Sequence, residues 1–211
     1  MVRGEEVTYG EIDEPVKFPW AVGHDMPSWI AAYGPLALKT AGQSADGVVL
    51  QLADPGLCKW FTDQCLEAGK AAGRDMSNYR SMAAAPAYFG DKARAIEATK
   101  WFPAMVGNHV ADIVEKYGAD SDKVPASLTS YIEKRRGYDY SKHGQADNPF
   151  LDFITPDVVE NFCVLGEPDE HIAKMHALKA AGVTQFNIYL DSGDEEEIIA
   201  GYGRHVIPAF R

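Results

Sequence analysis

Five consecutive residues, Tyr33-Gly34-Pro35-Leu36-Ala37, have the types and the order that can hold an anion. They stand where an apolar strand, SWIAAYG (28–34), turns into a helix of small residues. The first turn of a helix presents backbone N–H groups that no helical carbonyl takes up, and its dipole favours negative charge. Glycine lets a ligand approach the backbone, and proline suits the first helical turn but brings no N–H. The donors are then the amides of Gly34, Leu36 and Ala37. The stretch is neither GxGxxG nor a Walker A loop. A tight turn that serves only the fold has the same sequence, and both readings stand at this point.

Other reactive residue types form no motif. His171 and His176 are five apart on one predicted helix, which is poor spacing for zinc, and HExxH is absent, so no metal site is expected. His109, in MVGNHV, reads as a site residue or as a satisfied helix histidine. No GxSxG or catalytic-cysteine signature occurs, and no catalytic residue is assigned. Cys58 and Cys65 lie on one predicted helix, roughly 10 Å apart along its axis, which is too far for a disulfide. Three cysteines without a CxxC read as buried thiols in a reducing cytoplasm. The run Asp194 to Glu197 suits the first turn of a helix, and Lys134-Arg135-Arg136 suits a helix end.

The elements that position these residues alternate in type. VTYGEIDEPVKFPW (7–20) reads as a hairpin. Strand 28–34 leads to a helix from Pro35, with Leu38, Ala41, Gly42 and Ala45 on one face, and then to the apolar strand DGVVLQLA (46–53). Asp54-Pro55 opens a helix whose apolar face is Leu57, Cys58, Phe61, Cys65, Ala68 and Ala72, and Gly73 stops it. A strand over 79–90 precedes a long helical region, 92–117, interrupted at Pro103. Residues 118–156 read as a helical and loop insertion. Thr155-Pro156 caps a short helix, 162–165 forms a small strand or turn, a helix spans 168–181, and the strand TQFNIYL (184–190) precedes a helix over 194–203.

Strand–helix alternation means parallel strands joined by right-handed crossovers. In such folds the site lies at the C-terminal strand ends. That makes Gln51, Ala53, Asp54, Pro86, Tyr88, Phe89, Asn187 and Tyr189 positional candidates. Tyr88 or Tyr189 could line a flat aromatic cofactor or simply pack the rim.

The chain has 211 residues, 46% hydrophobic and 24% charged, enough for one domain with a real core. A net charge of −11 argues against nucleic acid or an anionic membrane as partner. No apolar run reaches the ~18 residues of a membrane span, and the polar start MVRGEEV is no signal peptide.

PSWIAAYGPLALKTAGQSADGVVLQ resembles the strand, Gly-Pro, helix, ADG, strand segment of luciferase-like flavin-dependent oxidoreductases, in the branch of methylenetetrahydromethanopterin reductase and other enzymes of the deazaflavin coenzyme F-420. APAYFGD, MVGNHVADIVEKYG and FCVLGEPDEHIAKMHALKAAGVTQFNIYL follow in the family's order. The resemblance covers nearly the whole chain. It implies an α/β fold, the C-terminal half of a (β/α)8 TIM barrel, as a single domain over 1–211. It implies hydride transfer or monooxygenation with FMN or coenzyme F-420 on a small-molecule substrate. It also places the cofactor-binding phosphate site on Tyr33, Gly34 and Pro35, with Leu36 and Ala37 as amide donors. The family's N-terminal strands, which carry much of the ring pocket, have no counterpart here, so cofactor retention by this chain stays open. A non-catalytic half-barrel subunit is the alternative. Either way the open sheet edges predict a homo-oligomer or a partner that supplies the missing half.

Overall fold

The computed structural model describes residues 26–107, 154–190 and 193–211. The hairpin expected over 7–20, His109 and most of the 118–156 insertion lie outside these residues. Along the described chain run β1 (Trp29–Ala31), α1 (Pro35–Ser44), β2 (Gly47–Leu50), α2 (Pro55–Ala71), β3 (Arg80–Phe89) and α3 (Lys92–Thr99). After the undescribed segment come α4 (Pro156–Phe162), β4 (Val164–Gly166), α5 (Pro168–Ala180), β5 (Gln185–Tyr189) and α6 (Glu195–Gly201). The chain ends in a π-helical turn, Tyr202–Val206, and a 3-10 turn, Ile207–Phe210.

All five strands are parallel, as the alternation requires. Met82 and Ala83 of β3 pair with β2 and with β5, so these two strands flank it, and β4 joins the C-terminal part of β3 at Ala87–Phe89. The base of the β3–β5 seam is fastened by side chains. Thr184 Oγ1 accepts from Ser81 N and donates to Ser81 O, and the buried Ser81 hydroxyl meets Thr62 Oγ1 at 2.8 Å.

Local chemistry sets the helix starts. Asp54 Oδ1 accepts from Leu57 N at 2.8 Å, with Pro55 in the first turn, and Asp91 Oδ1 accepts from Arg94 N at 2.9 Å. Glu167 N donates to Glu170 Oε2 at 2.8 Å at the start of α5. The helical region expected to break at Pro103 breaks earlier. Its first helix ends at Thr99, and a second covers 101–107. Pro103 cannot donate to Thr99 O, and its ring would clash with that carbonyl, so the first helix stops there and Pro103 falls within the first turn of the second.

The helices cover one face of the sheet. Val48, Leu50, Ala83 and Ala85 on that face are fully buried, together with Leu38, Leu57 and Phe61 of the helices above. The other face carries the aligned row Ala31, Val49, Met82 and Gln185, followed by Asn187. These residues are half-buried or exposed. Helices α1 and α2 pack at van der Waals distance through glycines. A Cβ on Gly42 would collide with the Cys65 carbonyl, and one on Gly69 would stand 2.8 Å from Gly42 O. Gly42→Ala is therefore expected to destabilise the fold by about 1–3 kcal/mol through overpacking. Urea unfolding followed by circular dichroism measures it, and an unchanged midpoint would contradict the packing.

Candidate functional site

Parallel strands put the start of every following helix at one end of the sheet, and the candidate residues gather there. Gly34 is the N-cap of α1 at φ −80° and ψ 153°, with no side-chain cap. Any L-residue adopts that conformation, so the backbone does not require glycine. What glycine contributes is the absence of a side chain beside the helix start. Pro35 fills the first helical position, and Leu38 N returns to Gly34 O at 2.9 Å. The amides of Leu36 and Ala37 precede the first intrahelical bond. Leu36 is 70% exposed although it is apolar.

Beside this turn, three strand ends are tied by hydrogen bonds. Gln51 N donates to the Tyr33 hydroxyl, and Gln51 Nε2 donates to the Tyr189 hydroxyl at 2.7 Å. One glutamine thus links the ends of β1, β2 and β5. Tyr33 is buried edge-on against Phe61, with ring centroids 5.6 Å apart. Burial raises its pKa well above the ordinary phenol value, so the ring stays neutral. Tyr189 is half-buried, with Phe102 at 5.5 Å.

The end of β3 is fixed by a histidine. His171 on α5 is fully buried and stacks on Phe89 at 4.1 Å. Its Nε2 lies 3.2 Å from Tyr88 O, and its Nδ1 lies 3.2 Å from the Tyr202 hydroxyl. A carbonyl only accepts, so Nε2 carries the proton and Nδ1 accepts from Tyr202. Burial pushes the imidazole pKa down to about 4, so the ring is neutral near pH 7. Lys92 joins Glu170 at 2.7 Å and Glu160 at 3.3 Å on the outer surface, linking α3, α4 and α5. Among the described residues no cluster of His, Cys, Asp and Glu could hold a metal. All three cysteines are buried, and none is in a disulfide among the described residues. No helix among the described residues is long and apolar enough to cross a membrane.

The family model for luciferase-like monooxygenases matches residues 1–185. The chain belongs to this family. The 5,10-methylenetetrahydromethanopterin reductase of Methanopyrus kandleri is 33% identical over 193 residues, covering 90% of this chain and 52% of that protein. The Archaeoglobus fulgidus reductase of the same name is 27% identical over 220 residues, covering 100% and 63%. Among solved structures, the coenzyme F420 dependent tetrahydromethanopterin reductase of M. kandleri matches with a TM-score of 0.62 at 29% identity, covering all of this chain and 60% of that one. An F420-dependent secondary alcohol dehydrogenase matches at 0.58 and 18% identity, a likeness of fold. The chain spans between half and two thirds of the length of these relatives, and its α/β fold is part of the luciferase-like TIM barrel.

For this luciferase-like chain, the structure gathers Tyr33, Gly34, Pro35, Leu36 and Ala37 with Gln51 and Tyr189 at one end of the sheet. Tyr88 is buried below the guanidinium of Arg94, 5.7 Å from its ring, so it packs the rim. Asn187 is exposed on the open face. Sequence reading missed the burial of His171. Its i, i+4, i+7 spacing with Met175 and Leu178 was the signal available.

The low His171 pKa gives a pH dependence with a definite sign. The unfolded chain takes up a proton near the ordinary histidine value of 6.5, and the folded chain does so only at about 4. Stability contributed by neutral His171 is full above 6.5 and is lost as pH falls from there toward 4. The urea midpoint should therefore fall between pH 7 and pH 5, and less steeply in His171→Leu. Equal slopes in the two proteins would contradict this assignment.

Proposed function

We propose that this chain forms the C-terminal part of an F420-dependent oxidoreductase of the luciferase-like family, resembling methylenetetrahydromethanopterin reductase. The observation that carries this reading is the match along all of the chain to the M. kandleri reductase, at 29% identity and a TM-score of 0.62. The M. kandleri structure that matches along all of the chain is coenzyme F420 dependent, which favours the deazaflavin over FMN.

The α1 start fits the phosphate end of such a cofactor in its donor chemistry. Leu36 and Ala37 offer neutral amides on the positive end of a ten-residue helix, and Gly34 leaves room for an oxygen to approach them. When bound, the deazaflavin supplies hydride transfer, and the protein supplies binding and orientation. Tyr33, neutral and buried, accepts from Gln51 N and holds the strand ends in place. Gln51 Nε2 donates to the Tyr189 oxygen, which turns the Tyr189 proton outward as a donor for a ligand's polar edge. The remainder of a complete barrel would cover the face that bears Gln185 and Asn187 and exclude water from it.

Gly34→Val tests the phosphate site, because its φ and ψ accommodate valine without strain. Titration with coenzyme F420, followed by fluorescence, should show affinity reduced more than tenfold, about 1.4 kcal/mol, with an unchanged circular dichroism spectrum. Equal affinity of variant and wild type would remove this turn from the site. Binding of FMN with no response to F420 would move the reading to the flavin side of the family.

A further inference from the structure

β3 stands between β2 and β5, and one hydrogen bond crosses over it. Gln51 directly follows β2, whose last pair is Leu50 with Ala83, and Tyr189 of β5 pairs with Pro86. Gln51 Nε2 nevertheless reaches the Tyr189 hydroxyl at 2.7 Å. Ala84 and Pro86 share a face of β3 with Met82, because side chains alternate along a strand. Both are small enough to let the bond pass, and both are buried. The main chain of Gln51 is itself held, since its N–H donates to the buried Tyr33 hydroxyl. Gln51 and Tyr189 are each half-buried, so the bridge stays within reach of a ligand.

An amide nitrogen only donates, so the Tyr189 oxygen accepts from Gln51 and the phenolic proton points elsewhere. The same carboxamide keeps its oxygen, Oε1, as an acceptor. Among the described residues neither the Tyr189 O–H nor Gln51 Oε1 has a hydrogen-bond partner. A donor and an acceptor thus stand side by side on two fixed strand ends. We infer that this pair takes the lactam edge of a ligand ring: the Tyr189 O–H donates to the lactam carbonyl, and Gln51 Oε1 accepts from the adjacent lactam N–H. A lactam presents an acceptor and a donor on neighbouring atoms, the complement of the pair. A group with acceptors only, or donors only, would leave one member unpaired once water is excluded, which is costly. Fused pyrimidinones are flat rings that carry such an edge, and deazaflavins and pterins both belong to them. The inference rests on the function proposed above only for which ring is present; the lactam itself is read from Gln51 and Tyr189. Gln51 is also a positioning residue here, because by occupying the phenol oxygen it fixes the direction of the Tyr189 proton.

Two ring-only probes test the edge without a cofactor. Lumazine carries lactam N–H groups, and 1,3-dimethyllumazine has N–CH3 in their place. By ligand-observed NMR the purified full chain should bind lumazine about tenfold more tightly than the dimethyl compound. Gln51→Leu should erase that preference, and Tyr189→Phe, which keeps the ring against Phe102, should weaken lumazine by about tenfold. The comparison of the two probes on the wild type needs no variant to fold. Titration of wild type and Tyr189→Phe with coenzyme F420 and with tetrahydromethanopterin then identifies the ring seated at the edge, since that ligand alone should lose affinity in the variant. Equal binding of the two probes by the wild type, or a preference that survives Gln51→Leu, would overturn the inference even where F420 binds. A lumazine preference in a chain that binds no F420 would keep the inference and remove the cofactor reading.

Discussion

Parallel pairing around β3 is the constraint on which the rest of the structure depends. A parallel strand cannot be reached by a tight turn, so each strand must be followed by a crossover, here a helix. The described crossover helices cover one side of the sheet, which buries Val48, Leu50, Ala83 and Ala85 and leaves Ala31, Val49, Met82, Gln185 and Asn187 on the opposite face half-buried or exposed. The same constraint brings Gly34, Gln51, Tyr88 and Tyr189 to one end although they are far apart in sequence. Site and core follow from one choice of strand direction.

Within that frame, each strand end is held by a different kind of bond. Gln51 spans three strands through its backbone N–H and its side-chain amide. His171 ties α5 to the Tyr88 carbonyl near the end of β3 and to the C-terminal turn through Tyr202. Lys174 Nζ donates to the carbonyls of Glu160 and Asn161 and so closes α4 against α5. The exposed Lys92 pairs contribute little beside these, because solvent screens them. The buried neutral contacts are the ones that fix geometry, since an unpaired polar group there is costly.

Much of this was legible in the sequence because it rests on local chemistry. Asp54-Pro55 and Thr155-Pro156 mark helix starts wherever the chain folds, and DGVVLQLA reads as a strand covered on both faces, although Val49 is only half-buried among the described residues. Alternation alone then implied parallel strands. The short β4 reads from sequence as a strand or a turn, since three residues carry no periodicity and its pairing to Ala87–Phe89 is tertiary. The Gln51–Tyr189 bond joins residues 138 apart, and no local pattern encodes such a pair. The C-terminal helix was expected to run on to 203. It passes at Tyr202 into a π-helical turn, where Tyr202 reaches His171. The break before Pro103 was placed late because the proline's effect falls on the carbonyl four residues earlier.

The β3–β5 seam has a consequence for how the chain comes to be folded. Ser28 and Asp46, which join β1 to β2, are 18 residues apart, whereas Thr184 and Ser81 are 103 apart. Closing the longer loop costs more chain entropy before any contact rewards it, so non-local pairs form late. During synthesis β1, β2 and β3 emerge well before residue 185. Until then the alanine-rich edge of β3 stands without its β5 partner and has no charged side chain from Met82 to Phe89, with Pro86 as its one edge-blunting residue. A strand of that kind is the natural nucleus for aggregation. Chaperone demand and refolding yield should therefore be set by the arrival of β5 rather than by the stability of the finished sheet.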